Sequence, residues 1–344
     1  MNNRHVVLSK RPSGAVTEQC FALRESEVSQ LREGDVLVRN IYVSCDPYMR
    51  GQFGGTTSNK SLFDLDAPVP ARAVGQVVES RHADFAEGDV VWGFMAWERF
   101  SVVPGGTGLR LFDPALGPIS YAISVLGMPG LTAYVGMFDI GSPREGETAY
   151  VSAAAGAVGQ LAAQFARLKG ARVVGSAGSE AKVQFLRETL NLDAAFNYRT
   201  VSSHEAALAE HCPDGIDVYF DNVGGPVLDA VLERANEHAR IAVCGQISQY
   251  DEAGPGYAIR NFRNVLGKRI LIQGFSVRSH MDQFDSAQAQ IAHWLAERNV
   301  VYTQDIVSGL EQLPGAFVSM MAGGNLGKRL VQVDDDPFTN PLAG

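Results

Sequence analysis

The sequence predicts an α/β protein of two domains, one β-rich and one a doubly wound parallel sheet with helices on both faces. Three observations predict it. The chain has 344 residues, more than one hydrophobic core usually fills. Its first third carries alternating runs rich in β-branched residues and punctuated by glycine. Beyond Pro129, short apolar runs alternate with helical stretches, the pattern of a parallel sheet wrapped by crossover helices.

The runs DVLVRNIYVSC (35–45), ARAVGQVVES (71–80) and DVVWGFMAWERFSVV (89–103) supply strands of the first domain. GGTTSNK, Gly54 to Lys60, reads as a polar loop. In the second domain ETAYVSAAA leads to a helix over 159–168, ARVVGSAG to one over 180–190, AAFNY to one over 203–211 and IDVYFDNVGG to one over 227–236. ARIAVCGQIS and RILIQGFSV follow, then a long helix over 284–298. The parallel sheet is therefore assigned to residues 125–299. Residues 1–124 and 300–336 are assigned to the first domain, with GNLGKRLVQV returning to it as a strand. The remaining 337–344, in the tail DDDPFTNPLAG, are expected to be disordered.

One stretch, Ile119 to Phe138, carries no charge, and about 20 apolar residues suffice to cross a bilayer. Gly127, Pro129 and Gly130 interrupt its centre, so it predicts two short buried segments meeting at a Pro-Gly turn. The opening MNNRHVVLSKRPSG has no apolar core of signal-peptide length. A cytoplasmic protein with no membrane partner is the expectation. A net charge of −9 argues against nucleic acid, whose phosphates call for a basic face. The four cysteines, Cys20, Cys45, Cys212 and Cys244, form no CxxC pair and suit a reducing compartment.

The chemistry begins at the first strand-to-helix turn of the second domain, AAAGAVGQLAAQFARLKG. Gly156 and Gly159 take the second and third places of a G-x-G-x-x-G dinucleotide fingerprint, and Ala154 the first. Such a turn needs little side chain, so that a pyrophosphate can reach the backbone amides at the start of the helix. Helix packing alone also uses glycines, but a strand before and a helix after favour the dinucleotide. The second strand bears on which dinucleotide. A site for NAD places an acid at its end to accept from the ribose hydroxyls. Here position 176 is serine, Gly178 and Ser179 follow, and the first acid is Glu180. Lys182 and Arg199 bring two cations near that end, which suits the 2′-phosphate of NADP; solvated surface charges are the plainer reading of both.

Metal chemistry finds little support. No H-E-x-x-H or G-H-E segment occurs, the seven histidines are scattered, and VPARAVGQVVES lacks the histidine that zinc-containing dehydrogenases carry there. Cys45 in VSCDPYMRG is read as a small buried residue rather than a zinc ligand. Neither a G-x-S-x-G elbow nor a phosphate-binding G-x-x-x-x-G-K-[ST] loop is present. A hydride donor without a metal needs an acceptor that is already activated. A carbon–carbon double bond conjugated to a carbonyl is one, and a hydrogen-bond donor at the carbonyl oxygen lowers its barrier.

VSCDPYMRG, MPGLTAY, AAAGAVGQ, KGARVVGSAGS, FNY, DNVGG, CGQISQY and NLGK occur in this order. With them, from about residue 5 to 333, the chain resembles the zinc-independent medium-chain dehydrogenases/reductases. The similar subgroup holds leukotriene 12-hydroxydehydrogenase/prostaglandin reductase, plant alkenal double-bond reductases and NADPH-dependent curcumin reductase. The resemblance implies a GroES-like catalytic domain plus a Rossmann domain, a homodimer, NADP(H) as cofactor, and reduction of small α,β-unsaturated ketones and aldehydes. It implies a pyrophosphate turn at Gly156, Ala157, Val158 and Gly159, and a 2′-phosphate subsite at Lys182 and Tyr198, beside which Ser179 is read as cofactor-binding from its place at the strand end. Around the adenine–ribose and nicotinamide it implies Asn222, Cys244, Gly245, Tyr250, Phe275, Val277 and Asn325. Tyr48 matches a tyrosine near the substrate carbonyl. Plainer readings stand beside these: Asn222 and Asn325 as turn residues, Tyr48 as a core aromatic, Phe275 as a buried strand residue and Tyr250 as a loop aromatic. Plant members carry a tyrosine where this chain has Gly267, which predicts a wider pocket there. Two other activities suit the same fold, quinone reduction and oxidation of an allylic alcohol. A non-catalytic NADPH sensor is a further alternative.

Overall fold

The computed structural model describes residues 1–54, 62–251 and 256–338. The loop read at Gly54 to Lys60 lies, past Gly54, outside the described residues, and so does the tail from 339. The chain divides into two compact units. One holds Met1–Ser124, Gln304–Asn325 and the described residues from Arg329; the other holds Val125–Thr303 and Leu326–Lys328.

The first unit opens with β1 (Asn2–Leu8) and β2 (Phe21–Glu27), an antiparallel pair. There follow β3 (Val36–Ser44), the single turn α1 (Met49–Gln52), β4 (Pro70–Ser80), β5 (Val90–Ala96), β6 (Phe100–Val103) and β7 (Arg110–Leu111). In the uncharged stretch, a 3-10 turn at Ile119–Ile123 closes the first unit's N-terminal part, and α2 (Met128–Tyr134) begins the second unit and runs into a π-helical turn at Val135–Gly141. Pro129 sits in the first turn of α2 instead of at a bend, because a helix start leaves the N–H that proline lacks unpaired anyway. Among the described residues no helix is long and apolar enough to cross a membrane.

The second unit alternates strand and helix: β8 (Thr148–Val151), α3 (Gly159–Leu168), β9 (Arg172–Ala177), α4 (Glu180–Gln184), β10 (Ala194–Asn197), α5 (His204–His211), β11 (Ile216–Asp221), α6 (Gly225–Arg234), β12 (Ala235–Val243), α7 (Arg263–Gly267), β13 (Leu271–Gly274) and α8 (Phe284–Ala296). The helix expected over 180–190 widens after Gln184 into a π turn, Phe185–Thr189. α6 starts earlier than expected because Pro226 presets its first turn. All strand pairs of this sheet are parallel, in the order β10-β9-β8-β11-β12-β13. That order reverses between β8 and β11, and ligands of such sheets bind outside the strand ends at the reversal. β14 (Gln304–Ser308), α9 (Leu313–Met321) and β15 (Lys328–Gln332) complete the chain, and the first unit's larger sheet runs β14-β15-β3-β4-β5-β7 with β6 on β3. The fold is thus α/β, a GroES-like β-rich unit and a Rossmann unit.

Aromatic rings centre the first unit's core. Phe53 meets Phe317 edge-on at 5.1 Å and Phe21 at 5.2 Å, and Phe21 lies 5.4 Å from Trp97. Such contacts stabilise by about 1 kcal/mol each beyond the area they bury. Phe53 closes the segment that begins at Cys45. Arg50 in that segment is fully buried, donating to the carbonyls of Gly54 at 2.8 Å and Gly14 at 2.6 Å. The turn that presents Tyr48 is therefore held from below. Asp336 accepts from the Tyr42 hydroxyl at 3.0 Å and Asp334 from Arg99 at 2.8 Å, so the acidic run before the tail is anchored.

Candidate functional site

The turn after β8 is built by close contacts. Ala153 takes φ +48, a costly backbone for a residue with a Cβ. Its carbonyl accepts from the Gly156 N–H at 3.0 Å. Gly159 opens α3 against the same carbonyl: a Cβ there would stand 2.4 Å from Ala153 O and 2.8 Å from Ala154 Cα. Glycine is thus required at 159. Ala154 replaces the first glycine of the fingerprint because its methyl packs beside Gly175, while its N–H donates to Ser176 O at 2.9 Å. The half-buried amides of Ala157 and Val158 donate to no protein acceptor among the described residues. Gly327, from the NLGK stretch, donates to Ala155 O at 2.8 Å and bridges to Gly156.

A side-chain network joins the ends of β8, β11 and β12. Asp221, fully buried, accepts on Oδ1 from the Tyr219 hydroxyl at 2.7 Å, Val223 N at 2.9 Å and Gly224 N at 2.7 Å. Its backbone carbonyl accepts from Cys244 N at 2.9 Å and Gly245 N at 3.0 Å. Asn222 donates from its backbone to Ser152 Oγ at 3.0 Å and from Nδ2 to Ser152 O at 2.8 Å. Asn222 is therefore more than a turn residue, since it fastens two strand ends. Burial pushes the Asp221 carboxyl up, although Tyr219, Gly224 and Val223 all bond to its charged form. Burial and the nearby Asp221 charge push the Cys244 thiol up to about 12, which keeps it protonated and unreactive at neutral pH. The Tyr250 hydroxyl accepts from Gln246 N at 3.4 Å and lies 3.2 Å from where a Gly245 Cβ would stand. It closes the same loop from above.

Phe275 lies just past the end of β13 and is half-buried, not a buried strand residue. Its ring stands 6.5 Å from Phe220, and both rings press on Gly136 of the π turn, where a Cβ would meet them at 2.7 and 2.5 Å. Val277 begins a 3-10 segment that runs to Gln283.

A third cluster forms where β9 and β10 end. β9 stops at Ala177, and Ser176 turns inward, its hydroxyl 2.8 Å from that of Tyr150. Ser176 is thus an interior residue and does not face a ribose. Gly178 supplies the opening instead: a Cβ there would stand 2.8 Å from the Tyr198 hydroxyl and 3.3 Å from Arg199 Nε. Ser179 caps α4, accepting from Lys182 N at 3.4 Å. Tyr198 is 39% exposed, and the Arg199 guanidinium lies 5.8 Å from its ring centre. Tyr198 and Arg199 thus face a glycine gap, and Ser179 caps the helix that carries Lys182, residue types that suit a phosphate monoester. The free amides of the first turn and this gap together fit a dinucleotide carrying a 2′-phosphate.

Residues 4–111 match the family model for the N-terminal domain of oxidoreductase, and residues 157–293 match that described as zinc-binding dehydrogenase. The chain is 41% identical to the NADP-dependent 2-alkenal reductase of Nicotiana tabacum over 339 residues, covering 97% of this chain and 98% of that one. It is 40% identical to the NADPH-dependent curcumin reductase of Escherichia coli, again over 97% and 98%. CurA of Vibrio vulnificus, solved with NADPH, superposes with a TM-score of 0.90 at 39% identity, over 97% of this chain and all of that one. The chain belongs to the medium-chain dehydrogenase/reductase family.

Within this medium-chain reductase two of the expected residues, Tyr48 and Asn325, fall in the first unit and the others in the second. Tyr48 is 38% exposed, so it is not a core aromatic. Cys45 is buried, and among the described residues no three His, Cys, Asp or Glu side chains group as a metal site. Sequence reasoning missed Ser152, Tyr219, Asp221 and Gly327. Asp221 carried a signal, since an aspartate two and three residues before free N–H groups is a turn-forming residue. Ser152 carried none, because its bonds from Tyr219 and Asn222 span 67 and 70 positions.

Proposed function

We infer that this protein is an NADPH-dependent reductase of the carbon–carbon double bond of small α,β-unsaturated ketones and aldehydes. The observation that carries the reading is end-to-end similarity near 40% to a 2-alkenal reductase and a curcumin reductase. Gly156 to Gly159 would take the pyrophosphate and Ser179, Lys182, Tyr198 and Arg199 the 2′-phosphate. Asn222, Cys244, Gly245, Tyr250, Phe275, Val277 and Asn325 would line the rest of the dinucleotide. NADPH, when bound, supplies a hydride. Tyr48 would donate its phenolic hydrogen bond to the substrate oxygen as negative charge gathers there, lowering the barrier. Cys244, kept a thiol, would add nothing to an electrophilic enone.

The active form is proposed to be a cytoplasmic homodimer. β13 is an edge strand, and Leu271 on it, with Phe262 and Leu266 beside and on α7, is exposed; Leu266 is 85% so. An apolar sheet edge of this kind suits a second copy of the chain. Four cysteines outside any disulfide suit a reducing compartment. The test is NADPH oxidation by chelator-treated protein with a small enone, the product identified by mass. A saturated ketone is expected. Bound NADPH without consumption would overturn the reading.

A further inference from the structure

The 2′-phosphate subsite contains an acid as well as cations. Glu180 is the first residue of α4, two positions past Gly178, and a carboxylate free to approach a 2′-phosphate would repel it. It is not free. Asn197, the last residue of β10, lies beside Ala177 in the parallel ladder and is only 8% exposed. Its Nδ2 donates to Glu180 Oε1 at 2.8 Å, and its Oδ1 accepts from Arg199 N at 3.0 Å. Both Arg199 Nε and the Tyr198 hydroxyl face the gap at Gly178. One amide thus restrains the acid and fixes the backbone of the cation.

We propose that Asn197 is a positioning residue for cofactor choice: it tethers the Glu180 carboxylate away from the 2′-phosphate and seats Arg199 beside it. The amide is suited to both tasks because it carries a donor and an acceptor on one planar group, and burial keeps water from competing for either. Aspartate, of the same shape, has no donor for Glu180. Alanine or serine, being shorter, would release the acid. The proposal rests on NADPH as the cofactor and is independent of which acceptor is reduced.

The test is equilibrium binding of NADPH and NADH, read by nicotinamide fluorescence, in the wild type, Asn197→Ala, Asn197→Ser, Glu180→Gln and Asn197→Ala/Glu180→Gln. NADH lacks the 2′-phosphate, so the ratio of the two dissociation constants isolates that group. Asn197→Ala is expected to lower the preference for NADPH about tenfold, as a like charge brought close to a phosphate does, with NADH binding within about twofold of wild type. Asn197→Ser is expected to do the same and serves if the alanine variant does not fold. Adding Glu180→Gln is expected to return the ratio to within about threefold of wild type, since the residue released is then neutral and only the seat of Arg199 stays lost. A preference that Asn197→Ala and Asn197→Ser leave unchanged overturns the proposal. So does a loss that Glu180→Gln leaves unrepaired, because a merely structural asparagine would not be rescued by neutralising a carboxylate.

Discussion

Two ends of one parallel sheet handle polar groups in opposite ways. Where β8, β11 and β12 end, Asp221 is fully buried and both its Oδ1 and its carbonyl collect backbone N–H groups. Where β9 and β10 end, Tyr198 and Arg199 are exposed and Lys182 half-buried. The first region holds loops in place with short bonds among buried atoms. The second places charges at the edge of water. On the proposed reading the first region would set shape for any dinucleotide, while the second would distinguish one dinucleotide from another.

That comparison breaks if substitutions in the two regions have like effects. The largest effect is expected from Asp221→Ala, which leaves the Val223 and Gly224 N–H groups without their acceptor and strips one partner from the Tyr219 hydroxyl. A loss of about 4 kcal/mol in denaturant unfolding is expected, with NADPH and NADH binding weakened alike; a change confined to NADPH would erase the distinction. Lys182→Ala should weaken NADPH about 30-fold or more, the worth of a charge-assisted contact to phosphate, and NADH less than threefold. Equal losses would remove Lys182 from the phosphate.

A charged pair elsewhere in the sheet sharpens the comparison, because it stabilises without discriminating. Arg240 on β12 donates to both oxygens of Glu147 and to the carbonyls of Gly141 and Ser142. Burial alone would raise the Glu147 carboxyl, but the hydrogen bonds from Arg240 and Arg144 N outweigh it and hold the group below its ordinary value of 4.5. The unfolded chain then binds the extra proton in acid, so stability rises with pH through this window. The pair's contribution is present above about pH 4.5 and is lost as pH falls through the lower folded-state value. Arg240→Ala should cost about 2 kcal/mol at pH 7 and flatten the acid side of a Tm-against-pH curve, with the NADPH-to-NADH ratio untouched. An unaltered acid limb would remove the pair from that account.

Two smaller effects lie on the substrate side. Tyr48→Phe should lower kcat about tenfold at unchanged NADPH affinity if its hydroxyl meets the developing enolate; full turnover would leave the exposed ring with packing alone. Gly267 ends α7, and a Cβ there would meet nothing within 4 Å. Gly267→Tyr is therefore expected to fold normally and to shift the relative rates on bulky and small enones by about threefold. Identical relative rates would show that position 267 does not shape the pocket.

Much of this architecture was legible in the order of residues. Alternating runs announced a parallel sheet, and α3 runs over 159–168 as the spacing predicts, because a helix and the close turn before it are local events. The nearness of Arg199 to Gly178 was legible too, since neighbouring strand ends in a parallel sheet bring their following residues together. Other features were not. The sequence did not show that Ser176 points inward, because only the neighbouring strand's Tyr150 decides its partner. Phe275 proved to lie beyond its strand, resting on a glycine far away in sequence.

By itself, then, the sequence determined the two-part α/β plan, the glycine turn and the cations that follow β9 and β10, because each depends on residues a few positions apart. Only the tertiary structure decided that Asp221 and Ser152 tie three strand ends together and that Asn197 restrains Glu180. Those contacts join residues 17 to 70 positions apart, and no periodicity or spacing records a bond whose geometry exists only once the strands are side by side.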